Sequence, residues 1–213
     1  MKAWQFTGTG KPLELNEVEE PTADPGEVVV DVKAAGVCHS DVAALDDEGW
    51  MALFQQGLPR TMGHESAGVI SQVGEGMEHW KVGDRVGLAP MMADGTALGY
   101  GPWDGGFGPK LRATDDNLVA LPDAVSFELG AMATDAGLTA YHAIMALGGA
   151  KPGMKVGEIG LTGVAESIIE FSDLGLELVV DYAGFGTTTA QGLEALAKFG
   201  TFVQVGMGSS KRP

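Results

Sequence analysis

Three separated clusters of side chains in this sequence carry donor atoms that a transition metal accepts. The first contains the only cysteine and reads Cys38-His39-Ser40-Asp41, the second is Gly63-His64-Glu65, and the third is Thr134-Asp135-Ala136-Gly137. Thiolate, imidazole and carboxylate are all ligands of zinc, and three protein ligands with one open position form a catalytic zinc site. Cys38, His64 and Asp135 are therefore candidate zinc ligands.

Each candidate also has a common structural explanation. A lone cysteine is usually a small apolar core residue, and a histidine beside a glycine can simply belong to a turn. An aspartate at the start of a helix is often an N-cap. The co-occurrence of three clusters favours metal binding for Cys38 and His64, whereas the residues alone favour a helix cap for Asp135.

The composition limits the class of partner. The chain has 213 residues, a net charge of −16 and 45% hydrophobic residues, which suits one large globular domain or two small ones. Nucleic acids and anionic membranes both attract basic surfaces, so neither is an expected partner. One cysteine forms no internal disulfide, and the N-terminus lacks the apolar core of a signal peptide, so we expect a cytoplasmic protein.

The first part of the chain predicts β structure around the first two clusters. Apolar and polar residues alternate in residues 13–18, and a β-branched run leads to the cysteine. The predicted elements up to residue 122 are strands at 13–18, 27–34 and 64–74, a turn and a strand at 80–87, short strands within 110–122, a helix at 41–54 and a glycine-rich irregular segment at 88–108. This pattern predicts a β-barrel-like domain with long loops.

The periodicity changes near Ser126. Residues 127–147 have helical spacing broken near Gly137, and the remainder predicts strands at 155–160, 176–181 and 201–205 with helices at 162–173 and 191–198. Strands that alternate with helices indicate βαβ units and a parallel sheet. The predicted fold class is α/β, with a catalytic domain over residues 1–150 and an incomplete dinucleotide-binding segment over residues 151–213.

Four motifs in this order resemble the zinc-dependent alcohol dehydrogenases of the medium-chain dehydrogenase/reductase superfamily. They are Ala34-Ala35-Gly36-Val37-Cys38-His39-Ser40-Asp41, Met62-Gly63-His64-Glu65-Ser66-Ala67-Gly68, Val82-Gly83-Asp84-Arg85-Val86 and Thr134-Asp135-Ala136-Gly137-Leu138-Thr139-Ala140-Tyr141. The resemblance implies a GroES-like β-barrel that carries the active site and a Rossmann domain that carries NAD or NADP. It also implies hydride transfer between an alcohol and that cofactor.

The resemblance assigns a role to each residue of the clusters. It makes Cys38, His64 and Asp135 the ligands of one catalytic Zn²⁺. It places Glu65 close behind the metal and makes Asp41 the partner that orients His64. The remaining assignments are Ser40 as the carrier of the substrate proton, His39 as a further proton carrier or a contact of the cofactor pyrophosphate, and Thr139 as a contact of the nicotinamide end.

The sequence departs from the family pattern in its cofactor segment and in a loop. Residues 88–107 contain no cysteine, so a second, structural zinc cannot be held there by a cysteine lobe. The phosphate-binding turn contains Gly160 and Gly163, but Thr162 occupies the position of the second glycine. Asp181 follows at the distance of a ribose-binding acid. We expect the chain to pass from the first Rossmann strand directly to a late one, and to lack the closing strands that relatives return to the catalytic domain.

These departures leave two functions open. The leading one is a zinc-dependent alcohol oxidoreductase with weakened cofactor binding, whose substrate is a small alcohol or carbonyl compound. The alternative is a catalytically silent, zinc-binding GroES-like module that associates with partners; a chaperonin-like barrel would not explain the three donor residues. The short parallel sheet exposes an edge near residues 202–205, which predicts a homo-oligomer.

Overall fold

The computed structural model describes residues 1–51, 57–160 and 175–206. The described residues divide into two compact units, Met1–Gly137 and Leu138–Pro213. The sequence predicted a domain boundary after residue 150, and the division by contacts falls earlier, within the helical segment. Thr162, Gly163 and the helix predicted at 162–173 lie outside the described residues.

An antiparallel sheet forms the centre of the first unit. Its strand order is β7-β3-β5-β6-β8, and every neighbouring pair runs antiparallel. The strands are β3 (Glu27–Gly36), β5 (Glu65–Val73), β6 (Arg85–Leu88), β7 (Lys110–Thr114) and β8 (Leu118–Ala120). A smaller antiparallel sheet has the order β2-β1-β4, formed by β1 (Lys2–Phe6), β2 (Glu14–Glu17) and β4 (Arg60–Thr61).

The β-branched run in β3 explains why this sheet folds around it. Val28, Val29 and Val30 are fully buried, and β3 is hydrogen-bonded on both sides, to β5 and β7. β-branched side chains fit the pleated, half-buried surface of a sheet. The main core of the unit gathers Val28 and Val30 with Ile70, Val86, Leu88 and Leu111. The strands predicted at 27–34 and 64–74 are thus confirmed.

Three short helices accompany these strands. They are α1 (His39–Asp46), α2 (Glu48–Met51) and α3 (Phe127–Met132). The single helix predicted from residue 41 is interrupted at Asp47, whose backbone is extended and whose Oδ1 accepts a hydrogen bond from Gly49 N at 2.8 Å. Aspartate competes for local backbone donors in this way, which favours a break over a continuous helix.

The second unit begins with helical turns and contains a parallel sheet. α4 (Leu138–Tyr141) is followed by a π-helical turn at His142–Leu147. The sheet has the order β11-β10-β9 and is parallel throughout, and a helix α5 (Gly186–Glu194) joins β10 to β11. The strands are β9 (Val156–Ile159), β10 (Leu176–Asp181) and β11 (Leu196–Gln204).

The helix predicted at residues 191–198 is wrong in both boundaries. α5 begins at Gly186, where Phe185 N bonds to Thr188 Oγ1 at 3.1 Å, and it ends before β11 starts at Leu196. Residues 196–198 favour a helix by propensity, but Leu196 pairs with Leu176 of β10. Tertiary strand pairing therefore overrides local propensity here. None of the helices in the described ranges combines the length and apolarity of a transmembrane segment.

Candidate metal centre

Cys38 lies where β3 ends and α1 begins. It is the N-cap residue of α1, with φ −90° and ψ 157°, and its backbone N–H donates to Asp41 Oδ2 at 3.0 Å. A carboxylate three residues into a helix commonly satisfies the N-cap amide in this way. This bond fixes the backbone from which the thiol projects.

His64 is held by a tight turn in front of β5. Gly63 has φ +98°, and a Cβ at that position would lie 2.5 Å from Phe107 Cδ1. Only glycine accepts both the positive φ and the close contact. The imidazole that follows is buried, with 6% of the residue surface exposed, so its two ring nitrogens need partners from the protein or a ligand.

Asp135 lies in a π-helical turn, Ala133–Gly137, that continues directly from α3. The N-cap of α3 is Ser126, whose side chain accepts from Leu129 N. The helix-cap explanation that the residues alone favoured for Asp135 is therefore wrong, because Asp135 lies within continuous helical backbone. π-helical turns often occur at functional sites, where they redirect a side chain.

The structure brings the three predicted ligands together and adds a fourth donor. Cys38 Sγ, a ring nitrogen of His64, and carboxylate oxygens of Glu65 and Asp135 all lie within 4.8 Å of one another. His64 Nε2 is 3.1 Å from Asp135 Oδ2. All four residues belong to the first unit. One sulfur, one nitrogen and carboxylate oxygens suit a four-coordinate zinc ion.

The electrostatics of the cluster also favour a bound cation. Burial lowers the pKa of His64, but its interactions with the side chains of Asp135, Asp41 and Cys38 outweigh burial and raise that pKa to about 12. Burial and the neighbouring Asp135 charge raise the pKa of Glu65 above its usual range. Acidic groups thus surround His64. In the metal-free chain the imidazolium supplies the positive charge that balances them, and a bound divalent cation would supply it instead.

Asp41, which the resemblance makes the partner that orients His64, lies next to that imidazole. It is 3% exposed, and its Oδ1 is 3.4 Å from His64 Nδ1, an ion-pair distance without hydrogen-bond alignment. The same oxygen accepts a hydrogen bond from Tyr100 Oη at 2.7 Å. Tyr100 was not singled out from the sequence, because Gly99-Tyr100-Gly101 carries no recognisable motif.

Ser40 and His39 occupy the first turn of α1 beside the cluster. Ser40 Oγ is 3.4 Å from His64 Nε2 and half-buried, whereas His39 is exposed. His39 and Glu65 also line a cavity of about 520 Å³ within the first unit, together with Ala34, Ala35, Gly36, Val37, Cys38, Glu128, Ala131, Met132 and Ala136. An open cavity next to the metal-binding residues gives a small ligand access to them.

The predicted cofactor residues of the second unit are in different surroundings. Thr139 lies in α4, and Gly160 directly follows β9. Asp181 is fully buried at the end of β10 and accepts four hydrogen bonds, from Ala183 N, Gly184 N, Thr188 Oγ1 and Thr189 Oγ1. Both of its oxygens therefore stabilise the turn into α5, which argues against a direct contact with ribose.

The sequence of this chain is similar to those of known alcohol dehydrogenases. Residues 24–123 match the alcohol dehydrogenase GroES-like domain. An alcohol dehydrogenase from Geobacillus stearothermophilus is 37% identical over 199 residues, which cover 84% of this chain and 57% of that protein. The (R,R)-butanediol dehydrogenase of Bacillus subtilis is 33% identical over 150 residues, 62% of this chain and 43% of that protein. The chain thus spans less than two thirds of the length of these relatives.

A solved structure extends the likeness to the whole fold. The alcohol dehydrogenase of Aeropyrum pernix superposes with a TM-score of 0.86 at 26% identity, covering 100% of this chain and 81% of that one. The match confirms the α/β fold class and the GroES-like domain predicted from the sequence. Together these similarities support the resemblance to alcohol dehydrogenases of the medium-chain dehydrogenase/reductase superfamily that the sequence motifs indicated.

Proposed function

We propose that this chain is a zinc-dependent alcohol oxidoreductase with weakened cofactor binding, which transfers a hydride between a small alcohol or carbonyl compound and NAD or NADP. The observation that carries the proposal is the convergence of Cys38, His64, Glu65 and Asp135 within 4.8 Å. Three of these are the ligands that the sequence predicted. The named relatives are alcohol and butanediol dehydrogenases, which favours an oxidoreductase over the silent binding module.

The proposed zinc ligands are Cys38, His64 and Asp135, with Glu65 as a neighbouring donor behind the metal. Zinc bound there supplies a Lewis acid that lowers the pKa of an alcohol hydroxyl. Asp41 contacts two of the proposed ligands, since its two oxygens face His64 Nδ1 and the Cys38 amide. Such partners fix the orientation of a ligating imidazole.

Ser40 and His39 provide the path for the proton. The Ser40 hydroxyl lies next to His64 Nε2, so it can accept the hydroxyl proton of an alcohol bound at the cluster. His39, adjacent in sequence and exposed, passes the proton to solvent. A nicotinamide cofactor held by Thr139, Gly160 and Gly163 would accept the C–H hydride with its electron pair, and the alcohol would become a carbonyl compound.

The proposal assigns the catalytic role to residues 1–150 and the cofactor role to residues 151–213. Gly160 and Gly163 remain the proposed cofactor contacts in the second part, and His39 and Thr139 in the first. Asp181 is left out of the direct contacts, because its oxygens are already hydrogen-bonded. A cytoplasmic location and a homo-oligomeric state, expected from the sequence, complete the proposal.

Metal content is the direct test. The purified chain should carry one zinc ion, measured by inductively coupled plasma mass spectrometry, and Cys38→Ala should lower zinc affinity by at least about 100-fold, more than the loss of an outer partner. The matched control is Val37→Ala, because Val37 is exposed and its side chain has no donor atom. Full zinc occupancy in Cys38→Ala would contradict the assigned site.

A further inference from the structure

The glycine-rich loop between β6 and β7 is bonded to the residues that lead into His64. Three consecutive backbone amides, of residues 105–107, donate to the carbonyl oxygens of residues 61–63 at 2.7–2.8 Å. Gly105 and Gly106 allow this approach, because a Cβ on either would lie within 2.3 Å of a neighbouring atom. The loop therefore holds the turn before His64 through its backbone, in a segment without cysteine.

The same loop places one buried side chain behind the metal cluster. Tyr100 is 5% exposed and packs in a small core with Phe6, Ala44 and Met62. Its ring centroid lies 5.2 Å from that of His64 at an interplanar angle of 59°. Its hydroxyl donates to Asp41 Oδ1 at 2.7 Å. Tyr100 thus contacts both the imidazole and the carboxylate that orients it.

The orientation of Asp41 depends on its donors. Oδ2 accepts from the Cys38 amide at 3.0 Å, and Oδ1 accepts from Tyr100 while it faces His64 Nδ1 at 3.4 Å. A buried carboxylate needs such donors to offset its lost hydration. With one donor on each oxygen, the plane of the carboxylate is fixed, and its Oδ1 stays directed at the imidazole.

The hydroxyl of Tyr100 remains a donor over the physiological range. Burial, the charge of Asp41 and the hydrogen bond to Asp41 together hold the pKa of Tyr100 well above its usual value. The phenol therefore stays neutral and keeps its proton for Asp41. Substitution of this hydroxyl removes one donor from Oδ1 and leaves the ring in place.

We infer that Tyr100 is a positioning residue of the zinc centre, which acts through Asp41 to hold His64 and Cys38 in their metal-binding orientation. The inference rests on the proposed function, since it concerns the affinity of that centre for zinc. It gives the glycine-rich loop a role at the metal site that its sequence does not reveal.

The test uses Tyr100→Phe, which removes only the hydroxyl. Zinc affinity of the full chain is measured at fixed pH by competition with a chromophoric chelator, and the ligand field is followed by the visible absorption of the Co²⁺-substituted protein. Tyr100→Phe should bind zinc about 10-fold more weakly, at the lower end of the range for outer partners of metal ligands. Its Co²⁺ spectrum should shift relative to wild type.

Tyr182→Phe is the matched control. The Tyr182 hydroxyl is buried and finds no hydrogen-bond partner among the described residues, and it belongs to the second unit. This variant should bind zinc with wild-type affinity. A double-mutant cycle with Asp41→Asn tests whether Tyr100 acts through Asp41. If it does, Tyr100→Phe should no longer lower zinc affinity in the Asp41→Asn background.

The outcomes separate the inference from the proposed function. Wild-type protein that binds no zinc would overturn the proposed centre and this inference with it. If the wild type binds zinc and Tyr100→Phe has the same zinc affinity and Co²⁺ spectrum, the inference alone is overturned. A lower unfolding temperature of the variant would not change that conclusion. Should Tyr100→Phe fail to fold, Asp41→Asn decides: zinc affinity within two-fold of wild type would refute the route through Asp41.

Discussion

The metal cluster and the parallel sheet differ in how they use their acidic residues. In the first unit, Glu65 and Asp135 direct their carboxylates towards a shared point with Cys38 and His64. In the second unit, Asp181 uses both oxygens to hold the turn between β10 and α5. A site built from side chains of one compact unit can be complete, whereas a cofactor crevice needs strands on both sides of its first strand.

The strand order makes the same contrast. β9 pairs only with β10 within the described ranges, whereas the first strand of a complete dinucleotide fold has a neighbour on each side. β3 in the first unit does have two partners, β5 and β7. Zinc binding and cofactor binding can therefore be measured separately in this chain.

The largest expected effect concerns cofactor affinity. The chain has Thr162 where a close-approach glycine is expected, and Asp181 is already bonded internally. Two lost hydrogen bonds to charged groups, at about 1.5–3 kcal/mol each, weaken affinity by roughly 10²- to 10⁴-fold. Titration of tryptophan fluorescence with NADH and NADPH, alongside the Geobacillus stearothermophilus relative, measures this difference.

The corresponding activity should be weak or absent although zinc is bound. A turnover on the order of 10 s⁻¹ with short alcohols and saturating NAD or NADP, abolished by Cys38→Ala, would contradict this expectation. That result would show that the cofactor segment binds NAD or NADP productively, so that the two units would no longer differ in this respect.

The next effect is that metal-free stability and zinc affinity should change in opposite directions with pH. The folded, metal-free pKa of His64 is raised to about 12, above the ordinary value of 6.5. The stabilisation from protonated His64 is therefore complete below the ordinary imidazole pKa and is lost progressively as the pH rises above it. Zinc requires neutral imidazole, so zinc affinity should instead increase with pH.

Urea unfolding at pH 6 to 9, in chelator and in zinc, checks both directions. His64→Gln should flatten the metal-free dependence, since the titrating group is removed. A metal-free stability that rises over this pH range in wild type would show that His64 is not protonated in the folded chain.

A smaller effect is expected from Gly63→Ala. The new Cβ would meet Phe107 at 2.5 Å on a backbone with φ +98°, so we expect a loss of about 2 kcal/mol in unfolding free energy together with weaker zinc binding. Gly76→Ala is the matched control, because Gly76 has φ +87° but no atom within 4 Å. Equal losses in the two variants would show that the Phe107 contact does not constrain the turn.

The smallest effect concerns association through the edge of β11. Within the described ranges β11 is an edge strand of its sheet, and such an edge favours pairing with a second copy, so the chain should form a dimer or larger species by light scattering at high concentration. Thr201→Lys and Gln204→Lys place charges at exposed positions of this strand and should shift the equilibrium towards monomer. A monodisperse wild-type monomer would contradict the predicted homo-oligomer.

The sequence predicted the elements whose pattern is local. The valine run of β3 and the apolar run of β10 predicted buried strands, and the family motifs indicated Cys38, His64 and Asp135, whose donor atoms the structure brings together. Helix α5 was misplaced, since Leu196 joins a strand through a partner at Leu176 that lies outside any local window. Tyr100 was missed for the same reason: its hydrogen bond to Asp41 spans 59 positions of the chain.

The separation of the donor residues along the chain has a consequence for folding kinetics. His64 and Asp135 lie 71 positions apart, so their contact closes a long loop of the chain. Closing such long loops costs entropy before the contact forms. A zinc ion should therefore act late, by slowing the unfolding of the native chain while leaving its refolding rate almost unchanged.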